Sequence, residues 1–452
     1  MLLISPDYTD AWVRPPTSLG WIAAALERAG EPVELIDCRI TPAYRETIAA
    51  RLRHHELVGL SVTAGSISSA IEIARLVRRR RPDATVVMGG PHPTAVYERL
   101  IPEHADVVVL GEGDDTIVDV VSHRDLRRIE GVAYWDGALR VNPRRHHILD
   151  LDRLGFPAWR HYRFEAYRDG VARRPYAIIT TSRGCPYRCT YCTKNIHGHE
   201  VRTRSLDVVI AEIDCLVRDF GIREIQLGDD ALSCLPDRVK QLCRMIIARR
   251  YPDLRFSLPN GMRPDHADEE MFRLLAEAGV YSVTFGFESG APRVLDATGK
   301  ALSLDGAEQT VRMARASGLL VRGCFMIGLP GDTPDTIQAT IDLACHLPLD
   351  NAAFSIFIPF PGTESHAEAE RRGQLLVDLA LTSATPLGGA VYETPALRAE
   401  TTNRLYRRAY RQFFLRPRMV GRLIAQGLRS PPELWGLVKY GVNILLRGGA
   451  YG

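Results

Sequence analysis

The chain has 452 residues, too many for one ordinary hydrophobic core, and its 46% hydrophobic, 25% charged composition excludes a disordered or fibrous protein. Its net charge of +3 hides an asymmetry: from Thr401 onward nine Arg and Lys439 face Glu433 alone, a net +9, which leaves −6 for residues 1–400. No run reaches the roughly 20 apolar residues that cross a bilayer, and the opening MLLISPD lacks the basic region and apolar run of a secretory signal.

The first 125 residues alternate short apolar runs with helical patterns. LLIS, VELID, LVGLSV, TVVMGG and DVVVLGEG read as buried strands, each with Gly, Ser or Asp at or next to its end. SLGWIAAALERAG carries Leu19, Ile22, Ala23 and Leu26 at helical spacing and stops at Gly30, and SSAIEIARLVRRRRP is a second helix. This pattern predicts an open, mostly parallel α/β sheet, whose ligands bind beyond the strand C-termini. Three loops fall there: SVTAGS, GGPHPT and GEGDDT. Glycines let a backbone approach a ligand closely, and small hydroxyls suit a narrow slot. A single such loop simply ends a strand, whereas three on successive strands favour a ligand.

GVAYWDGALRV reads as a hairpin turning at Asp136-Gly137. The aromatic, Pro-punctuated stretch that follows is a linker packing between domains. From Tyr176 a second series begins, with strands YAIITT, EIQLGDD, RFSLPNGM, SVTFGFES, RGCFMIGLP and AAFSIFIPF separated by helices. Six βα units predict a partial or full barrel with its chemistry at the strand C-termini. From about His366 the chain reads as helical and basic, either a solvated helical face or a surface for nucleic acid, anionic lipid or an acidic substrate.

Directly after the first barrel strand, Cys185, Cys189 and Cys192 stand in the spacing C-x₃-C-x₂-C. In the reducing cytoplasm expected for this chain, clustered thiols read as metal-binding or catalytic rather than disulfide-bonded. A structural zinc site wants four closed ligands, which would need a distant fourth such as His197. Three thiolates on an iron–sulfur cluster would instead leave one iron open to a substrate or cofactor.

The spacing, with Tyr191 just before the third cysteine, resembles the radical S-adenosylmethionine family. That resemblance implies a 4Fe–4S cluster on Cys185, Cys189 and Cys192, whose unique iron binds S-adenosylmethionine and cleaves it to a deoxyadenosyl radical. It places Tyr191 near the adenine, Gly228, Asp229 and Asp230 of LGDD near the methionyl amine, Glu288 of FGFES at the ribose, and Ile327 and Gly328 near adenine. LGDD departs from the family's usual Gly-Gly-Glu, though a carboxylate is a suitable acceptor for an amine.

A Rossmann-like domain ahead of such a barrel resembles the cobalamin-binding branch, which includes methyltransferases and ring-modifying enzymes. By that resemblance Ser61 and Thr63 line a slot for the nucleotide tail, and Gly89, Gly90, Gly111 and Glu112 border the tail and corrin edge. D-x-H-x-x-G is missing, which implies base-off cobalamin with no protein His ligand. The first strand also lacks a following G-x-G-x-x-G. A nucleotide-binding or degenerate domain remains the alternative.

The domain limits expected are 1–140 for the cobalamin domain, 141–172 for the linker, 173–365 for the barrel and 366–452 for the helical basic region. The function implied is methylation of an unactivated carbon, or phosphorus, of a small-molecule or natural-product substrate, with electrons from a flavodoxin- or ferredoxin-type donor. Radical cyclisation, ring contraction or oxidation of a lipid or tetrapyrrole is the second reading. A metal-binding scaffold for nucleic acid is the third, although no RNA-binding module is recognisable and no nucleic-acid partner is expected. The location expected is cytoplasmic, with peripheral membrane contact through the basic end.

Overall fold

A computed structural model of the chain describes residues 1–8, 12–123, 125–170 and 172–421. The front sheet holds β1 (Leu2–Ser5), β2 (Glu34–Asp37), β3 (Leu57–Ser61), β4 (Thr85–Gly89) and β5 (Val107–Val109), parallel in the order β2-β1-β3-β4-β5. Antiparallel β6 (Val132–Trp135) and β7 (Leu139–Val141) extend its edge, and their turn falls at Asp136-Gly137 as the hairpin reading expects. Between the parallel strands run α1 (Thr17–Arg28), α2 (Tyr44–Arg51), α3 (Ile67–Arg80), α4 (Pro91–Leu100) and α5 (Asp114–Ser122).

Both faces of this sheet are covered. Leu19, Leu26, Ile117 and Val120 of α1 and α5 pack on Leu3, Val87 and Val109, while Ile48, Ile71 and Val77 of α2 and α3 pack on Ile4, Val58 and Val86. Double coverage is why the strands read as unbroken apolar runs. The strand order reverses between β1 and β3, which opens a crevice beyond their C-termini.

The second body begins with β8 (Tyr176–Ile179), followed by a small antiparallel pair, β9 (Ser182–Arg183) and β10 (Arg202–Thr203). Then come β11 (Glu224–Leu227), β12 (Arg255–Met262), β13 (Val280–Glu288), β14 (Leu320–Ile327) and β15 (Asn351–Ile356). These pair in parallel with β8, in the order β15-β14-β13-β12-β11-β8, the six-stranded partial barrel predicted. Its helices are α6 (Leu206–Phe220), α7 (Pro236–Arg249), α8 (Glu269–Glu277), α9 (Pro292–Ala297), α10 (Ala307–Ala316) and α11 (Pro334–His346). Local chemistry sets their ends: Ser205 caps α6 through Val208 N, Gly221 terminates it at φ 61°, and Thr333 with Thr336 forms a capping box on α11.

Trp159, Tyr162, Phe164 and Tyr167 of the linker are buried in the barrel core. From the same segment Tyr162 Oη donates to Pro16 O at 2.8 Å and Arg163 to Ile40 O at 2.6 Å, so the linker joins both bodies.

After α12 (Glu364–Arg371) the chain departs from the helical expectation. Residues 372–398 form an irregular strap, broken by Pro386, Gly388, Gly389 and Pro395, that returns to the front sheet. There Ser383 N donates to Ser68 Oγ at 2.9 Å and Ser68 N to Ser383 Oγ at 3.0 Å. Helix α13 (Ala399–Phe414) then covers the barrel's open edge: Tyr410 Oη donates to Phe354 O at 3.0 Å and accepts from Phe354 N at 3.3 Å. These bonds satisfy backbone groups that a bare edge strand would expose. The rest of the basic tail, 422–452, lies outside the described residues. Among the described residues no helix is long and apolar enough to cross a membrane.

Candidate active site

A cavity of about 460 Å³ lies where the C-terminal ends of the two sheets face each other. One wall comes from the front sheet: Ser61, Thr63, Gly89, Gly90, Gly111 and Glu112, all expected from sequence, line it. The opposite wall includes Cys192, Gly228 and Asp230, also expected.

The front wall continues downward as a slot between the sheet and α1 and α5, with Leu3, Gly59, Val87 and Val109 on the strands and Leu19, Ile22 and Ile117 on the helices. Gly59 escaped the sequence reading, although a glycine inside the apolar strand LVGLS is itself a sign of close approach. A Cβ there would lie 2.6 Å from Met1 Cε. Gly90 has φ 109° and a Cβ on it would lie 2.6 Å from Val62 O, so the turn after β4 accepts glycine only. Ser18 Oγ and Ser61 Oγ meet at 3.2 Å across the slot mouth. His92 of GGPHPT turns away to the strap, with Nε2 2.9 Å from Ala380 O.

The cysteine loop is held on three sides. Thr190 N donates to Thr298 O at 2.9 Å, Ser365 N to Thr190 O at 3.0 Å, and Asn195 Nδ2 to Pro91 O at 2.7 Å. A Cβ on Gly299 would lie 2.6 Å from Arg188 O, so the loop rests directly on backbone. Cys185 is buried, Cys189 half-buried and Cys192 exposed, and all three are free thiols. Lys194 Nζ donates to Cys192 Sγ at 3.4 Å and also lines the cavity, a contact the spacing alone does not reveal. Burial, then the charges of Glu288 and Cys189, push the Tyr191 phenol far up.

Among the described residues no three His, Cys, Asp or Glu side chains converge as they would on a single metal ion. His197, the distant zinc ligand considered above, is engaged through Nδ1 with Glu112 at 3.0 Å. Three separated thiols on one loop, beside a cationic Lys194 and an open cavity, fit a polynuclear, anionic cluster. The glycine-floored slot fits a flat macrocycle with a tail more closely than a phosphate cradle.

Several expected residues stand elsewhere. Asp229 does not line the cavity; its carboxylate is buried and accepts from Thr181 N at 3.0 Å, from Thr181 Oγ1 at 2.9 Å and from Ser182 Oγ. Its work is to fix the backbone just before the cysteines, and of LGDD only Gly228 and Asp230 face the cavity. Strand alternation turns the Ile327 side chain outward into the core, which leaves only backbone there, and Gly328 N is taken by Asp332 Oδ2 at 3.0 Å. Glu288 sits at a left-handed φ of 65° and accepts from Lys300 Nζ at 3.0 Å. Glu112 reaches the cavity wall, yet both oxygens bind Arg202, one also His197, and the other Ile148 N. Burial opposes its charge, but these partners and Arg183 hold its carboxyl well below the usual range.

Comparison with known proteins agrees with this geometry. Residues 179–344 match the family model of the radical SAM superfamily and residues 13–121 that of the B12 binding domain. An uncharacterised methyltransferase of Pyrococcus horikoshii is 31% identical over 93% of this chain and 93% of its own length. The cytidylyl-2-hydroxyethylphosphonate methyltransferase of Streptomyces wedmorensis is 29% identical over 79% of this chain and 78% of its own. Among solved structures, the radical S-adenosylmethionine methyltransferase TsrM of Kitasatospora setae, with cobalamin and a [4Fe-4S] cluster bound, superposes with a TM-score of 0.67. It covers 82% of this chain and 74% of that one, and at 24% identity the likeness is one of fold.

Proposed function

The chain belongs to the cobalamin-dependent radical S-adenosylmethionine enzymes, and from that membership we propose that it transfers a methyl group to an unactivated carbon, or phosphorus, of a small-molecule substrate. One observation carries the proposal: a single cavity is walled by the front-sheet glycine loops on one side and by Cys192, Gly228 and Asp230 on the other. Two cofactors and a substrate placed there would share one enclosed space, which is what positioning catalysis requires. Curated relatives of similar length that are named methyltransferases support the same reading.

When bound, the 4Fe–4S cluster, S-adenosylmethionine and cobalamin supply electron transfer, radical generation and methyl carriage. The chain's own residues do the rest. Cys185, Cys189 and Cys192 would hold the cluster, and Lys194 beside Cys192 would offset its negative charge. Asp230, with Gly228, would receive the methionyl amine, and Tyr191 would border the adenine. Ser61, Thr63, Gly89 and Gly90 would take the cobalamin tail, and the Glu112 hub would keep the cysteine loop registered against them.

The test is turnover of anaerobically reconstituted full-length protein with methyl-labelled S-adenosylmethionine and a metabolite extract. Label in a new product is the expected result. Consumption of a metabolite with no label gained would instead favour cyclisation or oxidation.

A further inference from the structure

We propose that Arg322, inside the barrel, holds an anionic group of the methyl acceptor, a carboxylate or phosphonate. The proposal rests on the methyltransferase reading and names the substrate class it would take. On β14, Val321, Phe325 and Ile327 are buried against the surrounding helices. Alternation therefore turns Arg322, Cys324 and Met326 to the interior, where all three keep partial exposure.

Several buried or half-buried arginines elsewhere in the barrel body are ion-paired, and half-buried Arg238 instead donates to the Thr181 and Arg204 carbonyls. Arg183 meets Asp114, Arg202 meets Glu112, Arg204 meets Glu212 and Arg263 meets Asp265. Arg322 has no such carboxylate among the described residues, and its Nε is shielded from solvent without a hydrogen bond. A partly desolvated guanidinium left unpaired is costly, and its planar fork matches a carboxylate or phosphonate bidentately.

The surroundings give the site a direction. Two residues nearer the strand's C-terminal end, the Cys324 thiol is pushed up to about 11, chiefly by burial, with Arg322 and Lys300 acting against that and Glu288 with it. Arg322, Lys300 and Glu288 are thus near enough to the thiol to act on it electrostatically. Lys300 is already neutralised by Glu288 at 3.0 Å, so Arg322 supplies the net positive charge on this wall. One step higher, Met326 packs in the cluster that contains Tyr191. A ligand anchored by its acid group on Arg322 would thus extend toward the cysteine loop. Glu224, which faces the interior from β11, does not compete, because Ser257, Tyr281 and Arg173 N occupy its carboxylate.

S-adenosylmethionine also carries a carboxylate, so the experiment must separate the two sources. The reconstituted full-length enzyme is dialysed against radiolabelled methylphosphonate, and S-adenosylmethionine affinity is read from the cluster's electron paramagnetic resonance. Wild type should bind the probe saturably; Arg322→Met should lose at least about tenfold, Arg322→Lys less, and S-adenosylmethionine affinity should not change. Iron and cobalamin contents equal to wild type establish that each variant is folded, and Arg322→Gln serves if Arg322→Met does not load. Equal probe affinity in the variants, no saturable binding to wild type, or a tenfold loss of S-adenosylmethionine affinity each overturns the proposal. If the probe depends on Arg322 but no acceptor takes methyl label, the anion site stands and the methyltransferase reading falls.

Discussion

Arg202 donates to Glu112 across the boundary between the two bodies, at 2.9 Å and 3.0 Å, with both side chains under 5% exposed. Arg202 belongs to β10, the short strand closing the cysteine loop, and Glu112 to the glycine loop after β5. Arg183, two residues before Cys185, joins the same carboxylate and Asp114, and lies over the Trp21 ring at 5.4 Å. The cysteine loop and the front-sheet slot are therefore registered by one buried ionic hub.

Glu112→Ala should be strongly destabilising, because it leaves Arg202 buried and unpaired, a loss of about 3 kcal/mol. Denaturant unfolding of the apoprotein would measure it. Since the folded carboxyl is held below its ordinary value of 4.5, the unfolded chain binds the proton more readily. The hub's contribution is thus present at neutral pH and lost as pH falls below that value. A stability profile in acid that is identical for wild type and variant would contradict this.

Replacing Cys185, Cys189 or Cys192 by Ser should remove the cluster, seen as lost iron and lost charge-transfer absorption. Cys234→Ser is the informative control. The Cys234 thiol lies close enough to feel the charge of Cys185, yet it is outside the loop, and iron content should stay at the wild-type level.

Gly89→Val should block the slot while leaving the fold intact. A Cβ at this position makes only an ordinary 3.6 Å contact with Val109, and Gly89 lines the cavity. Cobalamin affinity should fall at least about tenfold, by the steric cost of overpacking, with iron content unchanged. Wild-type cobalamin binding by this variant would place the macrocycle elsewhere.

Asp332 gives a pH signature. Burial raises its carboxyl to about 6, against hydrogen bonds from Thr336, Gly328 and Leu329. The folded state then holds the proton more tightly than the unfolded one, so stability falls as pH rises from the ordinary 3.8 toward 6. Asp332→Asn should lack this slope, and the stability difference between the two proteins should shift by up to about 3 kcal/mol across that window. Parallel curves would show that the group does not titrate there.

What the sequence determined was whatever lies close along the chain. C-x₃-C-x₂-C after a strand, the glycine loops after successive strands and the six βα units are local patterns, and the structure keeps them at the strand ends where parallel sheets put chemistry. Tertiary structure decided the partners. Asp229 and Asp230 are adjacent and chemically alike in sequence, but one is buried under Thr181 and Ser182 while the other faces the cavity. Glu112 reads as a loop carboxylate until Arg202, 90 residues away, is placed on it. The strap's return to Ser68, 315 residues back, and the shielded Arg322 Nε, which has no hydrogen bond among the described residues, are equally invisible to spacing. The reason is physical: backbone pattern is set by neighbours a few residues apart, whereas the charge and solvation of a side chain depend on groups that only the folded chain brings near.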